Sequence, residues 1–350
     1  MKRTTYRIVE GQYLRDILDQ PRALTATLES VEISQHLRIL GAGLRDGRFK
    51  RVVLTGMGAS FHALHPLFLR LNAFGYEAVA AETSELVHSL ETWLAPDTLI
   101  IAVSQSGQSA EIVRLIEINR RRAPIVGITN DADSELATGA DAEIITMAGK
   151  EFSVSCKTYV TALMALHLLG EFLSGADERQ VREELALIAP AAGSYLRKWQ
   201  EHVFEIAGEL GRVRNLFLLG RGESLAASGA GSLIIKESVR LHAESMSGAA
   251  FRHGPLEMVD DGTFAVVFGG PESTRALQAR LADDIRQAGG RVGWIGEDKT
   301  SGAWALPEAP PGLRAMVEIL PVQMMTLALA AEKGIEAGRF ARVSKITTTE

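Results

Sequence analysis

One glutamate and one histidine in the second half of the chain have side chains suited to moving protons. Glu237 lies in SLIIKESVRL (232–241), and His253 lies in the following segment, HAESMSGAAFRHGPLEMV (242–259). Burial beside isoleucine and leucine raises the pKa of a carboxylate, which a general base needs near neutral pH. Histidine titrates in this range without such help. The pair suits proton transfer at a carbon next to a carbonyl, together with ring opening of a cyclic sugar.

The spacing in these two segments predicts one helix that continues to about residue 246. Residues three and four positions apart share a helix face, so this helix would group Glu237, Leu241, Glu244 and Ser245. The alternative is a solvated helix held by salt bridges, with His253 as a hydrogen-bonded structural residue.

A second group of candidates lies in SQSGQSAE (104–111), which follows an apolar run and opens a predicted helix. The start of a helix has free N–H groups, and short hydroxyl side chains beside glycine let an anion approach the backbone closely. Open parallel sheets bind ligands at this end of their strands. A simple capping loop is the alternative, because serine is a common N-cap. The candidates for a phosphate site are Ser104, Gln105, Ser106 and Ser109.

The turn GMGAS (56–60) follows another apolar run, and its Gly-x-Gly matches part of a dinucleotide fingerprint. The third glycine of that fingerprint is absent, because Phe61 stands at the next position. A nicotinamide site is therefore disfavoured. A second wall of a sugar-phosphate pocket fits better, formed by Gly58, Ala59 and Ser60.

Two further segments place polar groups among apolar ones. EFSVSCKTYVTAL (151–163) predicts a helix whose start carries Ser155 and Lys157. The alternative there is a capped helix with Lys157 on its solvated face. GRFARVSKITTTE (338–350) closes the chain as a polar tail, which is usually solvated. If the tail is docked instead, Lys345 offers an amine or a cation to a substrate.

The elements that must position these residues alternate along the chain. Residues 12–45 have helical spacing of apolar residues. Short apolar strands then alternate with longer amphipathic segments, which predicts βα units with parallel, buried strands. The predicted strands are 51–56, 78–83, 99–104, 124–129 and 142–147 in the first half, and 215–220, 263–270 and 291–297 in the second.

The two halves match each other at a single offset. TGMGAS (55–60) matches LGRGES (219–224), and IIAVS (100–104) falls on FAVVF (264–268) at the same spacing. Two agreements at one offset indicate duplication of an α/β unit. The predicted division is a helical segment (1–45), a first unit (46–175), a charged helical linker (176–200), a second unit (201–335) and a tail (336–350).

Composition excludes several classes of protein. The chain has 350 residues, 46% of them apolar and 23% charged, which is enough for two globular domains. The net charge of −6 disfavours a nucleic-acid-binding surface. We expect no membrane span and no secretion signal. One cysteine cannot form a disulfide within the chain, so we expect a cytoplasmic protein. No metal-ligand spacing such as HExxH or CxxC occurs, and we expect neither a metal nor a cofactor.

Taken together, SQSGQSAE, GRGES, KES, HAE, FRHGPLE and SKITTTE resemble the SIS (sugar isomerase) family. More narrowly, they are similar to the isomerase half of glutamine–fructose-6-phosphate amidotransferase and its stand-alone relatives. The resemblance runs from DILDQPRAL, which begins at residue 16, to Glu350. It implies an α/β fold of two tandem SIS units, each a mostly parallel sheet between helices in three layers.

The resemblance also implies roles for the candidate residues. The serine-rich loop binds the sugar phosphate, with Gly58–Ser60 on the neighbouring turn. Glu237 moves the proton between C1 and C2. His253 acts in ring opening and is supplied by the partner subunit, so a homodimer is implied. Lys345 forms a Schiff base with the open-chain ketose.

Two departures bear on the reaction. The glutaminase domain with its N-terminal cysteine is missing, so we expect no use of glutamine. Ile234 stands where the synthase has a lysine, three residues before the catalytic glutamate. We therefore expect an isomerase that releases the amine of an amino-sugar phosphate, in the manner of a glucosamine-6-phosphate deaminase. A fructosamine-6-phosphate deglycase is the first alternative, and a non-catalytic sugar-phosphate sensor is the second.

Overall fold

The computed structural model describes residues 9–340 and residue 342. Within this part, the chain divides into two compact units. The first, here called the five-strand unit, contains residues 22–151, 156–186 and 342. The second, the four-strand unit, contains residues 9–21, 152–155 and 187–340. The domain limits given above from the sequence stay a prediction.

The five-strand unit is built on a parallel sheet whose strands are ordered β2-β1-β3-β4-β5. Every residue of the central strand β3 is buried, as expected for a strand covered by helices on both faces. The strands are β1 Arg51–Gly56, β2 Ala78–Glu82, β3 Thr98–Val103, β4 Ile125–Thr129 and β5 Ala142–Ile145.

Helices and short connections surround this sheet. The longest, Lys157–Ser174, is buried along most of its length and ends at Gly175, whose φ is +85°. Glycine adopts this left-handed conformation readily, which suits the end of a helix. The helices wholly or mostly in this unit are α2 Gln20–Ser30, α3 Gln35–Arg45, α4 Gly58–Ala63, α5 His65–Ala73, α6 Thr83–His88, α7 Ala110–Asn119, α8 Glu135–Gly139, α9 Lys157–Ser174 and α10 Glu178–Leu185, with a 3-10 turn at Glu91–Trp93.

The four-strand unit repeats the plan with one strand fewer, in the order β7-β6-β8-β9, again all parallel. Its strands are β6 Asn215–Gly220, β7 Glu244–Ser247, β8 Thr263–Phe268 and β9 Arg291–Ile295. Its helices are α1 Gln12–Leu18, α11 Ile188–Leu196, α12 Trp199–Leu210, α13 Ser224–Val239, α14 Gly248–Arg252, α15 Glu272–Gln287 and α16 Ile319–Lys333, with 3-10 turns at Pro255–Met258, Lys299–Trp304 and Pro311–Met316.

The predicted fold is confirmed, since two parallel sheets flanked by helices form two tandem α/β units. All eight predicted strands are present within a few residues. The segment 12–45 is helical, but it forms three separate helices. Strand β7 was missed, because its sequence, ESMS, is short and largely polar and follows a helix without any glycine or proline between them.

The expectation of no membrane span needs one correction. The stretch Pro311–Lys333 is long and apolar enough to cross a membrane by length and composition alone. In the fold, however, 94% of its most apolar window is buried inside the protein. This stretch therefore forms a core element of the four-strand unit, because its apolar side chains already have protein neighbours.

Candidate functional site

The serine-rich loop (104–109) lies at the carboxyl end of β3, between that strand and α7. Strand order in this sheet reverses direction between β1 and β3. Loops that leave two such strands diverge to opposite faces and open a crevice, the usual ligand position in sheets of this kind. The four candidates Ser104, Gln105, Ser106 and Ser109 are thus brought together at that crevice.

Hydrogen bonds inside the loop fix its shape and leave donors available. Ser104 Oγ accepts from the Gly107 N–H at 3.1 Å, and Ser106 Oγ accepts from the Gln108 N–H at 3.2 Å. A hydroxyl that accepts a bond still has its own proton to donate. Ser109 is the N-cap of α7, but its side chain caps no N–H group of the helix. The first-turn N–H groups of α7 and three serine hydroxyls can therefore serve one anion.

The peptide at Gly107 is braced from the next strand and helix along the sheet. Gly107 has a φ of +63°, and an added Cβ would lie 2.1 Å from Ser134 Oγ and 2.9 Å from Thr129 Oγ1. Thr129 Oγ1 donates to the Gln105 carbonyl at 3.3 Å, and the Asn130 N–H donates to the same oxygen at 3.1 Å. Sequence reasoning gave Thr129, Asn130 and Ser134 no role, since nothing in their own segment points to the loop.

The turn with Gly58, Ala59 and Ser60 forms the start of α4 and borders the same crevice. Gly56, the last residue of β1, pairs with Val103, the last residue of β3. A Cβ on Gly56 would lie 2.8 Å from the Val103 carbonyl oxygen, so the two connections leave the sheet in close contact. Ala59 is buried and Ser60 is half-buried. These residues lie at the carboxyl end of β1, beside the end of β3, and their role as a second wall stays a prediction.

The buried carboxylate of Glu151 accepts hydrogen bonds from the start of α9. Glu151 accepts hydrogen bonds from the N–H groups of Cys156 and Thr158 and from Thr158 Oγ1, at 2.9, 3.1 and 2.7 Å. This carboxylate caps the start of α9, as the capped-helix alternative expects. The other half of that alternative is wrong: Lys157 is only 4% exposed and does not lie on a solvated face. Ser155 belongs to a short stretch of the four-strand unit.

Glu237 lies on the last turn of α13 in the four-strand unit and is half-buried. The prediction that this helix continues to about residue 246 is wrong. It ends at Val239, because Arg240 adopts the left-handed conformation with a φ of +55°. Lys333 Nζ donates to the carbonyls of Val239 and Arg240, both at 3.3 Å, and completes the helix end.

Glu244 and Ser245 consequently lie on β7 and not on a helix face with Glu237. Glu244 pairs in register with Phe217 of β6, and its side chain is exposed. The grouping of Leu241, Glu244 and Ser245 with Glu237 is therefore withdrawn. Glu237 itself keeps its candidate role, and its raised pKa stays a prediction.

His253 follows the five-residue helix α14 as its C-cap and is exposed. Two neighbours fix the backbone before it. Phe251 is fully buried and packs edge-on against Phe217, with ring centroids 4.9 Å apart, and Arg252 forms an ion pair with Asp284. An exposed histidine on an anchored loop can reach groups outside its own chain.

The last candidate, Lys345, lies outside the described residues. Within residues 9–340, no group of three or more histidine, cysteine, aspartate or glutamate side chains is placed to bind a metal ion. A groove of about 670 Å³ lies along the far edge of the five-strand sheet, beside Ile39, Arg121 and Ile145. None of the candidate residues lines this groove, so we do not assign it to the site.

One buried titratable residue was missed entirely. Glu318 is 3% exposed, and its Oε1 accepts from Ser224 Oγ at 2.7 Å, at the start of α13. Burial, opposed by the bond from Ser224, raises the pKa of Glu318 to about 7. Its sequence context, MVEILPV, is typical of a helix start and offers no sign of this contact.

Comparison with known proteins agrees with this architecture. The family model for the SIS domain matches residues 48–171 and 209–333, one match in each half. Glutamine–fructose-6-phosphate aminotransferase (isomerizing) from Pyrococcus horikoshii is 30% identical over 96% of this chain. The chain spans 57% of that relative's length.

Two solved structures have the same fold. The C-terminal domain of glucosamine-fructose-6-phosphate aminotransferase from Francisella tularensis superposes with a TM-score of 0.82 at 21% identity, covering 94% of this chain and 98% of the other. Glucosamine-6-phosphate deaminase from Thermotoga maritima superposes with a TM-score of 0.76 at 19% identity, covering 97% and 100%. With two SIS domains in tandem, each on its own parallel sheet, the chain belongs to the SIS family.

Proposed function

We propose that this protein is an aldose–ketose isomerase that acts on an amino-sugar phosphate and releases the amine. The observation that carries the proposal is the serine-rich loop at the carboxyl end of β3, where the strand order of the five-strand sheet reverses. This loop contains three serines, and the helix that follows it has no side-chain cap at its start, which supports an anion site at this end of the sheet. Such a group of donors matches the oxygens of a phosphate ester.

In the proposed complex, Ser104, Ser106 and Ser109 donate to the phosphate, and Gln105 contributes its amide. The turn Gly58–Ser60 forms the opposite wall, with Ser60 as a further donor. Ser155 and Lys157 are proposed to contact the substrate beyond the phosphate. This binding holds a mobile open-chain sugar in one position, which lowers the entropic cost of the chemical steps.

The proposed reaction begins with ring opening by His253, which moves a proton from the C1 hydroxyl to the ring oxygen. Glu237 then takes the proton from C2 and returns it to C1, while a proton passes from the amine to the C1 oxygen, so that C1 becomes a CH2OH group and an imine is left at C2. Water hydrolyses the imine to the ketone and releases ammonia. For glucosamine 6-phosphate, the products are fructose 6-phosphate and ammonia. Lys345 is proposed to form a Schiff base with the open-chain ketose.

The names of the related proteins support this substrate class. The relative from Pyrococcus horikoshii is named for transfer of an amino group to fructose 6-phosphate, and the Thermotoga maritima protein is named a glucosamine-6-phosphate deaminase. Both names refer to a phosphorylated hexose and its amine. The proposal keeps that chemistry and assigns release of the amine to this chain.

Glutamine is not part of the proposed reaction. The one cysteine of the chain, Cys156, is fully buried, and its thiol lies 3.4 Å from the Glu151 carboxylate. Burial and a neighbouring carboxylate both disfavour a reactive thiolate. We also propose a cytoplasmic homodimer without metal or cofactor, in which the exposed His253 serves the site of the partner subunit.

The experiment that tests the proposal uses the full chain and a matched pair of variants. Glucosamine 6-phosphate is supplied, and ammonia and fructose 6-phosphate are measured over time. Glu237→Gln removes the proposed base without changing its shape, whereas Glu244→Gln makes the same change on the exposed face of β7. We expect turnover in the wild type and in Glu244→Gln, and a loss of at least about 100-fold in Glu237→Gln.

Equal turnover by Glu237→Gln and the wild type would contradict the proposed mechanism. Absence of ammonia would lead to fructosamine 6-phosphate as the next substrate, and release of its amine would identify a deglycase. Binding of both compounds without turnover of either would favour the sugar-phosphate sensor.

A further inference from the structure

The crevice of the four-strand unit is formed by the same elements as the proposed phosphate site: a reversal of strand order, a glycine turn and a helix start. These elements are here called the frame. Strand order reverses between β6 and β8, as it does between β1 and β3. Ser224, at the start of α13, matches Ser60 in the duplicated turns GMGAS and GRGES. α13 has 16 residues, so its N-terminal N–H groups carry the positive end of a substantial helix dipole.

The two matching serines differ in their surroundings. Ser60 is half-buried, and its hydroxyl has no hydrogen-bond partner within the described part of the chain. Ser224 is 1% exposed, and its hydroxyl donates to Glu318 Oε1. A donor that is available for a ligand in one unit is therefore already satisfied by the protein in the other.

The residue that makes this difference occupies a matching position in both units. Cys156 is the N-cap of α9, the helix that follows the last strand of the five-strand sheet. Glu318 is the N-cap of α16, the last helix of the four-strand unit. The Glu318 side chain reaches Ser224 in the glycine turn of its unit, whereas the Cys156 thiol contacts Glu151.

We propose that the crevice of the four-strand unit is closed by the protein's own Glu318 carboxyl group, which occupies the position that a phosphate takes in the five-strand unit. This inference rests on the proposed function in one respect, the assignment of phosphate to the five-strand unit. It implies that each chain binds one phosphate and retains the frame of a second anion site.

Arg221 is a further side chain beside this crevice that suits an anion once the carboxyl group is removed. Arg221 lies in the turn after β6, and its Nε donates to Gln278 Oε1 at 3.1 Å. Gln278 Nε2 in turn donates to the carbonyls of Leu219 and Phe268 at 3.0 Å, so it joins the ends of β6 and β8. The guanidinium group is thereby fixed beside the turn that leads to Ser224.

A buried carboxyl group in this position is also incompletely satisfied. Glu318 Oε2 forms no hydrogen bond to any residue that the structure describes. Leaving such an atom without a partner costs stability, which would be unusual for a purely structural contact. The arrangement is expected if the carboxyl group fills a crevice that is shaped for a larger group with more acceptor oxygens.

The test counts phosphate ions bound per chain. Inorganic phosphate is titrated by calorimetry into the full-length wild type, Glu318→Ala and Glu318→Gln. Glu318→Ala empties the position, whereas Glu318→Gln keeps both its volume and an acceptor for Ser224. We expect one more phosphate per chain in Glu318→Ala than in the wild type, and no additional phosphate in Glu318→Gln. Glu318→Cys, which copies the residue of the five-strand unit, carries the same expectation if the alanine variant does not fold.

The outcomes separate this inference from the proposed function. If the folded alanine or cysteine variant binds no more phosphate than the wild type, the inference is wrong. It is equally wrong if the wild type already binds two phosphates, or if Glu318→Gln gains one. If the wild type binds none and Glu318→Ala binds one, closure of the four-strand crevice by Glu318 is supported, but the proposed phosphate site of the five-strand unit, and with it the comparison to that site, is wrong.

Discussion

The two units of this protein place different loops on the same frame. At the offset of the duplication, SQSGQSAE (104–111) of the five-strand unit falls on FGGPESTR (268–275) of the four-strand unit. The first loop offers hydroxyls at three positions, whereas the second has Phe268, Gly270 and only one matching serine, Ser273. Under the proposed function, the comparison teaches that the sheet provides the same position in both units, and that the loop decides which unit can bind a phosphate.

A second contrast exists at the ends of the helices that carry the candidate residues. α13 has a buried carboxyl group at its start and the Lys333 ammonium group at its end, and both come from α16. This placement opposes the helix dipole at each terminus. The four-strand unit therefore provides a hydrogen-bond partner at each end of α13, the helix that carries Glu237, whereas α7 of the five-strand unit has no side-chain cap at its start.

The largest effect is expected from removal of the hydroxyls of the five-strand loop. The triple variant Ser104→Ala, Ser106→Ala and Ser109→Ala should raise the Kd for fructose 6-phosphate at least about 100-fold, since each bond to a charged group contributes about 1.5–3 kcal/mol. Ser273→Ala is the matched control in the four-strand loop and should leave the Kd unchanged. Calorimetric titration measures both, and similar affinities for the two variants would remove the distinction between the units.

The second effect concerns the pH dependence of stability. The pKa of Glu318 is about 7 in the fold against an ordinary value of 4.5. Between these values, the unfolded chain loses the proton and the folded chain keeps it, so the free energy of unfolding falls as pH rises. Glu318→Gln removes this titration and should therefore be more stable than the wild type at about pH 8, by about 3 kcal/mol, with little difference near about pH 4.

Urea unfolding of both proteins across that range provides the measurement. Glu223 and Arg314 also act on this carboxyl group, the first raising and the second lowering its pKa. Their charges are the same in both proteins, so the difference isolates Glu318. A difference in stability that does not change with pH would show that Glu318 does not titrate in this interval.

The smallest effect compares two glycines with nearly equal backbone angles. Gly107 and Gly270 have φ values of +63° and +65°, so alanine costs about 1–2 kcal/mol at either position from the backbone alone. At Gly107 the new Cβ would also meet Ser134 Oγ, whereas at Gly270 the nearest atom is 3.5 Å away. Gly107→Ala should therefore be the more destabilising by about 1–2 kcal/mol, since Ser134 also caps α8. Equal losses of stability in the two variants, measured by thermal unfolding, would mean that Ser134 and Thr129 do not pack against Gly107 as described.

Which features of the fold and the candidate site could be predicted depends on how far apart in the sequence the contacting residues lie. The strands and the serine-rich loop could be predicted, because each is specified by a few adjacent residues, such as TLIIAV followed by SQSGQS. The helix end at Arg240 was missed, because a left-handed arginine has no sequence signal comparable to glycine. Glu318 was missed because its partner, Ser224, is 94 residues away, and only the folded chain brings them together.

The most direct test of the central claim follows proton exchange and does not depend on which amine is released. Fructose 6-phosphate is incubated with the protein in D2O, and the loss of a C1 proton signal is followed by NMR. If the five-strand unit binds the phosphate and Glu237 moves the proton, the wild type exchanges one C1 proton, Glu237→Gln does not, and Glu244→Gln behaves as the wild type. No exchange by the wild type, or equal exchange by Glu237→Gln, would contradict the account.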